Sequence, residues 1–126
     1  MSKEVRKIIS DAMTSLGLAY CFVEYAGDVV YPYFVGEYTE TEGFTEDGLQ
    51  ESTFLLTGFS RGSWSELEDA KDKIENYFNR VSGKTVITDS GSGVAIFYAY
   101  SLVVPTGDAE LKSIQINLSV KEWKVN

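Results

Sequence analysis

Two stretches of this chain carry apolar residues at helical spacing, and three strand-like runs follow each of them. That order, α-β-β-β-α-β-β-β, restricts the fold more than any other feature. In the first stretch Val5, Ile8, Ile9, Ala12, Met13 and Leu16 share one face of a helix over about Ser2 to Leu16. Gly17 stands where a C-terminal cap belongs. In the second, Trp64, Leu67, Ala70, Ile74, Tyr77, Phe78 and Val81 form the apolar face of a helix from Trp64 to Val81, ended by Gly83. Ser63 and Glu66 have capping-box spacing. Glu66, Glu68, Asp69 and Asp72 crowd its start and Arg80 its end, an ordering that complements the helix dipole.

The strand-like runs are 18–26, 29–38 and 53–57, then 85–88, 94–104 and 111–125. Gly27-Asp28 and Pro105-Thr106-Gly107-Asp108 read as turns. Pro32 lacks an amide donor, which predicts that the strand containing it lies at an edge or is kinked there. The nearly continuous apolar run Val94–Val104 predicts a central strand. In the last run the apolar phase is even at Ile114, Ile116, Leu118 and Val120, then odd at Trp123 and Val125. A β-bulge near Lys121-Glu122 would produce that slip. The expected fold class is α+β: one mostly antiparallel sheet with two helices packed on one face. The chain has 126 residues, room for one domain with one core, and shows no internal repeat.

The net charge of -8 removes the counterion-release drive for binding nucleic acid and disfavours anionic membrane surfaces. It suits a basic partner, or a surface that DNA must pass without adhering. The chain has no histidine, the commonest general base and metal ligand. Its one cysteine, Cys21, sits in an apolar run and reads as a small core residue; an intramolecular disulfide is ruled out, so a reducing compartment is expected. No apolar run approaches the ~20 residues of a membrane span. The charged start and the amphipathic stretch after it do not resemble a signal peptide, so cytoplasmic synthesis is expected.

Gly58-Phe59-Ser60-Arg61-Gly62 matches G-x-S-x-G between a strand and a helix, the setting of a nucleophile elbow. A serine nucleophile needs a base, and without histidine the usual triad cannot be built. The segment reads instead as a strand-to-helix turn with Ser63 as the cap. Ser90-Gly91-Ser92-Gly93 precedes a strand rather than a helix, so it reads as a turn and not a phosphate cradle. The acidic segment lacks EF-hand spacing. No cofactor, metal or catalytic residue is assigned, and the expectation is a protein without enzymatic activity.

Interaction is the remaining class. Residues 37–51 hold Glu37, Glu40, Glu42, Glu46, Asp47 and Glu51 and neither Lys nor Arg. They read as a solvated loop or as a binding or pore-lining one. Phe54 and Leu56 alternate with Leu55 and Phe59, so the strand is apolar on both faces and asks for cover, from the core or from another subunit. Eight tyrosines fit an oligomer interface. The candidate contact residues are those six carboxylates with Tyr33 and Phe54. A small acidic inhibitor or immunity-type protein that masks a basic partner is one reading of size and charge.

The layout resembles another class, the tail terminator and tail-completion (head–tail joining) proteins of long-tailed bacteriophages and prophages. The resemblance is carried by the N-terminal amphipathic helix and by Tyr31-Pro32-Tyr33-Phe34-Val35-Gly36-Glu37. A variable loop, the strand and polar turn from Phe54 to Arg61, the amphipathic helix from Trp64 and a C-terminal β region complete it. It covers most of the chain in layout and is sharpest over 31–37 and 54–78. It implies a non-enzymatic ring, typically a hexamer, in the tail or neck of a virion and in the host cytoplasm during assembly. The implied partners are further copies of the chain, the tail-tube protein and the head-connector protein. DNA would pass through the lumen without specific binding, and the 37–51 loop would face that lumen or the partners.

Overall fold

The computed structural model describes residues 1–40 and 48–124. The elements are α1 (Lys3–Ser15), β1 (Ala19–Phe22), β2 (Tyr33–Glu40), β3 (Leu49–Arg61), α2 (Trp64–Tyr77), β4 (Lys84–Ile87), β5 (Gly93–Val103) and β6 (Leu111–Trp123). The fold is α+β in the expected order. The six strands form one mixed sheet in the order β1-β2-β3-β6-β5-β4, in which β1 runs parallel to β2 and every other neighbouring pair is antiparallel.

Both helices are stopped at their starts by serine. Ser2 Oγ accepts the Val5 amide at 3.3 Å and Ser63 Oγ accepts the Glu66 amide at 3.4 Å. The Glu66 carboxylate does not close the box onto Ser63. It accepts from Ser60 Oγ at 3.1 Å, tying the end of β3 to the first turn of α2. Helix α1 ends in a Schellman motif: Leu18 N–H donates to Met13 O, Gly17 N–H to Thr14 O, and Gly17 takes φ +73°. Helix α2 is shorter than its pattern predicts. Asn79 Oδ1 accepts from the Val81 and Ser82 amides at 2.8 and 3.1 Å, an Asx-type turn that competes with another helical turn and leaves Val81 in solvent.

One face of the sheet carries the core. In β3 every even position from Gln50 to Ser60 is buried and the odd ones are not. Phe54 and Leu56 pair with Leu118 and Ile116 of β6, and both helices pack onto this face through Val5, Ile9, Ala12 and Met13 and through Leu67, Ala70, Ile74 and Phe78. Opposite Phe34 on β3 stands Gly58, whose missing side chain makes room for the Phe34 ring. Tyr20, from β1, lies over Gly36, and burial pushes its phenol up to about 12.

Several expectations are corrected. Strand β2 is internal, between β1 and β3; Pro32 lies just before it, behind a cis Tyr31–Pro32 peptide, so the ladder loses no donor. The strand expected over 18–26 ends at Phe22, where Val23 turns to φ +68°, and Cys21 is half-buried on this edge strand instead of in the core. No bulge interrupts β6: its register with β3 is continuous, and Glu122 keeps the buried even phase while Trp123 is exposed. The bulge is in β5 at Ala99, where Tyr98 and Tyr100 face consecutive residues, Leu118 and Asn117. Val94, Ile96 and Tyr98 therefore belong to the core face, whereas Tyr100 and Leu102 belong to the other.

A methyl group added at Gly58 would meet Phe34 Cζ at 2.8 Å, and Phe34 is fully buried. Gly58→Ala is expected to lower the urea-unfolding free energy by about 1–3 kcal/mol. A double-mutant cycle with Phe34→Leu should show a relieving coupling between the two sites. An unchanged unfolding midpoint for Gly58→Ala would contradict this packing.

Candidate functional site

The face opposite the core is where contact-forming residues collect. Odd positions of β2, β3 and β6 point there, together with Phe97, Tyr100 and Leu102 of β5. Both helices bury their apolar residues against the other side, so among the described residues no helix covers this one. Leu55, Thr57, Phe59, Gln115 and Ser119 are half-buried there. In its middle Asn117, opposite Leu55 and Tyr100, is 3% exposed and its Nδ2 has no hydrogen-bond partner. The surface is apolar and aromatic with a polar stripe, the composition of an interface core rather than of a solvated face.

One end of this face is an aromatic group. Tyr33 and Phe59 are cross-strand partners, and their rings stack at 5.1 Å between centroids. Tyr25 and Tyr31 pack on Tyr33 at 4.7 and 5.5 Å. The Arg61 guanidinium lies 5.8 Å from the Tyr31 ring centroid and 3.5 Å from Asp108 on the β5–β6 connection. Burial raises the Tyr33 phenol above its ordinary pKa, with added repulsion from Tyr31 and Tyr25. The Arg61 pKa is raised chiefly by a hydrogen bond to Tyr31. Clustered Tyr and Arg are the residue types that dominate binding energy at protein interfaces.

The carboxylates expected in one long loop are divided. Strand pairing claims both flanks of that segment, so Glu37 and Glu40 lie on β2 and Glu51 on β3, all exposed. Glu37 stands opposite Leu55 on the uncovered face, and Glu51 opposite Lys121 of β6. Glu40 turns to the helix side, where it accepts from Gln50 Nε2 at 3.3 Å and pairs with the Met1 amino group. Glu42, Glu46 and Asp47 lie outside the described residues. Phe54 is a correction: it is fully buried beneath Phe22 and is a core residue, not a contact residue. Tyr33 is half-buried on the uncovered face, opposite Phe59. Tyr25, Tyr31, Phe59 and Arg61 were missed, and the signal that marks them is the Tyr33–Phe59 register with the Tyr31/Tyr33 alternation.

Ser60 of the G-x-S-x-G match sits inside β3 rather than on a turn, is fully buried, and its hydroxyl proton is committed to Glu66. Ser90 and Ser92 lie in the β4–β5 hairpin turn, where Ser90 Oγ donates to Glu4 at 2.9 Å. Among the described residues no cluster of His, Cys, Asp and Glu could hold a metal ion, and no helix is long and apolar enough to cross a membrane. No protein-family model and no curated protein matches the chain.

Because its folded-state pKa is raised, Tyr33 leaves stability unaffected below pH 10.0 and withdraws it as pH rises further, since the unfolded phenol ionises first. Ultraviolet titration of Tyr33→Phe should lack one ionisation that the parent shows above that value, and Tyr31→Phe should move the same ionisation downward. Loss of a transition at the ordinary tyrosine value would contradict the stacked, half-buried setting of Tyr33.

Proposed function

We propose that this chain is a non-enzymatic structural protein of a phage or prophage tail, whose copies close into a ring that ends the tail tube or joins it to the head. The observation that carries the reading is the bare sheet face with its Tyr25–Tyr31–Tyr33–Phe59 group and Arg61. A small domain that leaves so much aromatic surface without a helix layer is suited to being covered by other subunits. The sequence resemblance over 31–37 and 54–78 supplies the kind of assembly, and the element order agrees with the layout of that resemblance.

In this reading the ring is made of further copies of the chain, with the tail-tube and head-connector proteins as neighbours. The net charge of -8 keeps DNA from being retained as it passes. The acidic end of the sheet, where Glu37 and Glu51 are exposed, faces the lumen or those neighbours. Its place of work is the virion tail or neck, reached from the host cytoplasm.

Sedimentation velocity and native mass spectrometry with tail-tube protein present test the proposal. The expected result is a closed ring, hexameric by the resemblance, that binds the tube end. Tyr33→Ala with Phe59→Ala should weaken assembly at least about tenfold if these aromatics are hot spots. A strict monomer in the presence of tube protein would overturn the reading, as would a tight one-to-one complex with a basic protein.

A further inference from the structure

Strand β5 has an outer edge that the fold leaves half open. Strand β4 pairs only with Gly93 to Ile96, and among the described residues no strand flanks the outer edge of β5 beyond that point. Two positions on that side offer no free donor. The Tyr98 amide donates to Phe78 O at the end of α2, at 2.7 Å, and Pro105 has no amide hydrogen. The Val104 amide donates inward to Ser113 O of β6 at 3.0 Å, so by strand alternation Leu102 and Tyr100 also turn their backbone groups toward β6. Ser101 and Val103 are left pointing outward, without a backbone partner among the described residues.

The side chains along this edge are not those of a protected one. Tyr100, Leu102 and Val103 are 56%, 42% and 63% exposed. Protein edges are usually guarded by charge, proline or a covering element. Here residues 90–107 contain no Asp, Glu, Lys or Arg, the longest uncharged run in the chain. In a protein of net charge -8, copies repel one another over most of the surface, and this edge is a place where they can approach without opposing like charges.

We infer that the outer edge of β5 is a self-recognition site: two copies pair antiparallel through residues 100–104, about a two-fold axis at Leu102. The geometry is self-complementary. With Leu102 opposite its own copy, Ser101 of each chain lies opposite Val103 of the other as a hydrogen-bonded pair. Each such pair exchanges two N–H···O bonds, so four form, from the two outward donors that each copy's edge leaves open. Leu102 meets Leu102 as the close, non-hydrogen-bonded pair, and Tyr100 packs on Val104 on the same uncovered face. The two sheets then run on as one. This contact is isologous, whereas a cyclic ring is built from heterologous ones, so it stands apart from the ring reading and does not depend on it.

The test is sedimentation equilibrium of the purified chain without any tail protein. The expected result is a reversible monomer–dimer equilibrium. Val103→Pro removes an outward donor from each copy and no bond to β6, and is expected to weaken dimerisation at least about tenfold. Leu102→Lys and Leu102→Glu should each be monomeric alone and should form a one-to-one heterodimer when mixed. Recovery in the mixture also shows that both variants are folded, and it is specific to a two-fold register. A chain that stays monomeric at every concentration would overturn the inference, as would a Leu102→Lys variant that dimerises like the parent, or a mixture that does not recover. Dimerisation with no ring on added tube protein would leave this site standing and refute the tail reading alone.

Discussion

Everything else in this molecule hangs on the pairing of β3 with β6. The two strands match residue for residue from Leu49–Trp123 to Arg61–Leu111, without a break, at the centre of the sheet. Because side chains alternate along a strand, that single register assigns every residue of both strands to a face at once. Phe54, Leu56, Ile116 and Leu118 go to the helices; Leu55, Phe59, Gln115 and Asn117 go to the other side. A slip of one residue would exchange the two sets, exposing the core and burying the stripe of amides and hydroxyls. The Ser60–Glu66 hydrogen bond then sets where α2 leaves β3 and so which side α2 must cover.

From this constraint follows the one-sidedness of the molecule. Two helices suffice to cover one face of a six-stranded sheet, and the described residues hold no third helix to cover the other. The uncovered side is not wholly polar, as a freely solvated antiparallel face would be, but mixes aromatic and aliphatic residues with its amides and hydroxyls. It holds the Tyr33–Phe59 stack, the tyrosines around it and the exposed half of β5. The two proposed assembly modes use different parts of this surplus. A ring draws on the aromatic group and the acidic end of the face, while self-pairing draws on backbone groups at one edge.

Much of the fold was legible before any coordinates. Helical spacing with a serine cap at each start places α1 and α2, and alternation in β3 is plain from Phe54 to Phe59. What could not be read is which of two apolar faces the helices choose, because that depends on where α2 leaves β3. The sequence therefore does not tell that Phe54 faces the core and Phe59 the other side. The β5 bulge is hidden for a related reason: a run apolar at nearly every position shows no phase change when one residue is inserted, whereas the phase change that the sequence does display falls in β6. The acidic segment was read from composition as one loop, but cross-strand pairing overrides composition at its two ends. Of the candidate site, Tyr33 was visible. Its grouping with Tyr25 and Phe59 was not, because the parallel placing of β1 and the β2–β3 register are long-range facts.

Hydroxyl-radical footprinting of the free chain and of its assembly with tail-tube protein measures this one-sidedness directly. In the free chain Tyr33 and Phe59 should be oxidised while Phe34, Phe54 and Phe78 are spared, and the first pair should become protected on assembly. Oxidation of Phe54 as fast as Phe59, or identical footprints in the free and assembled states, would contradict a sheet with one bare face built for contact.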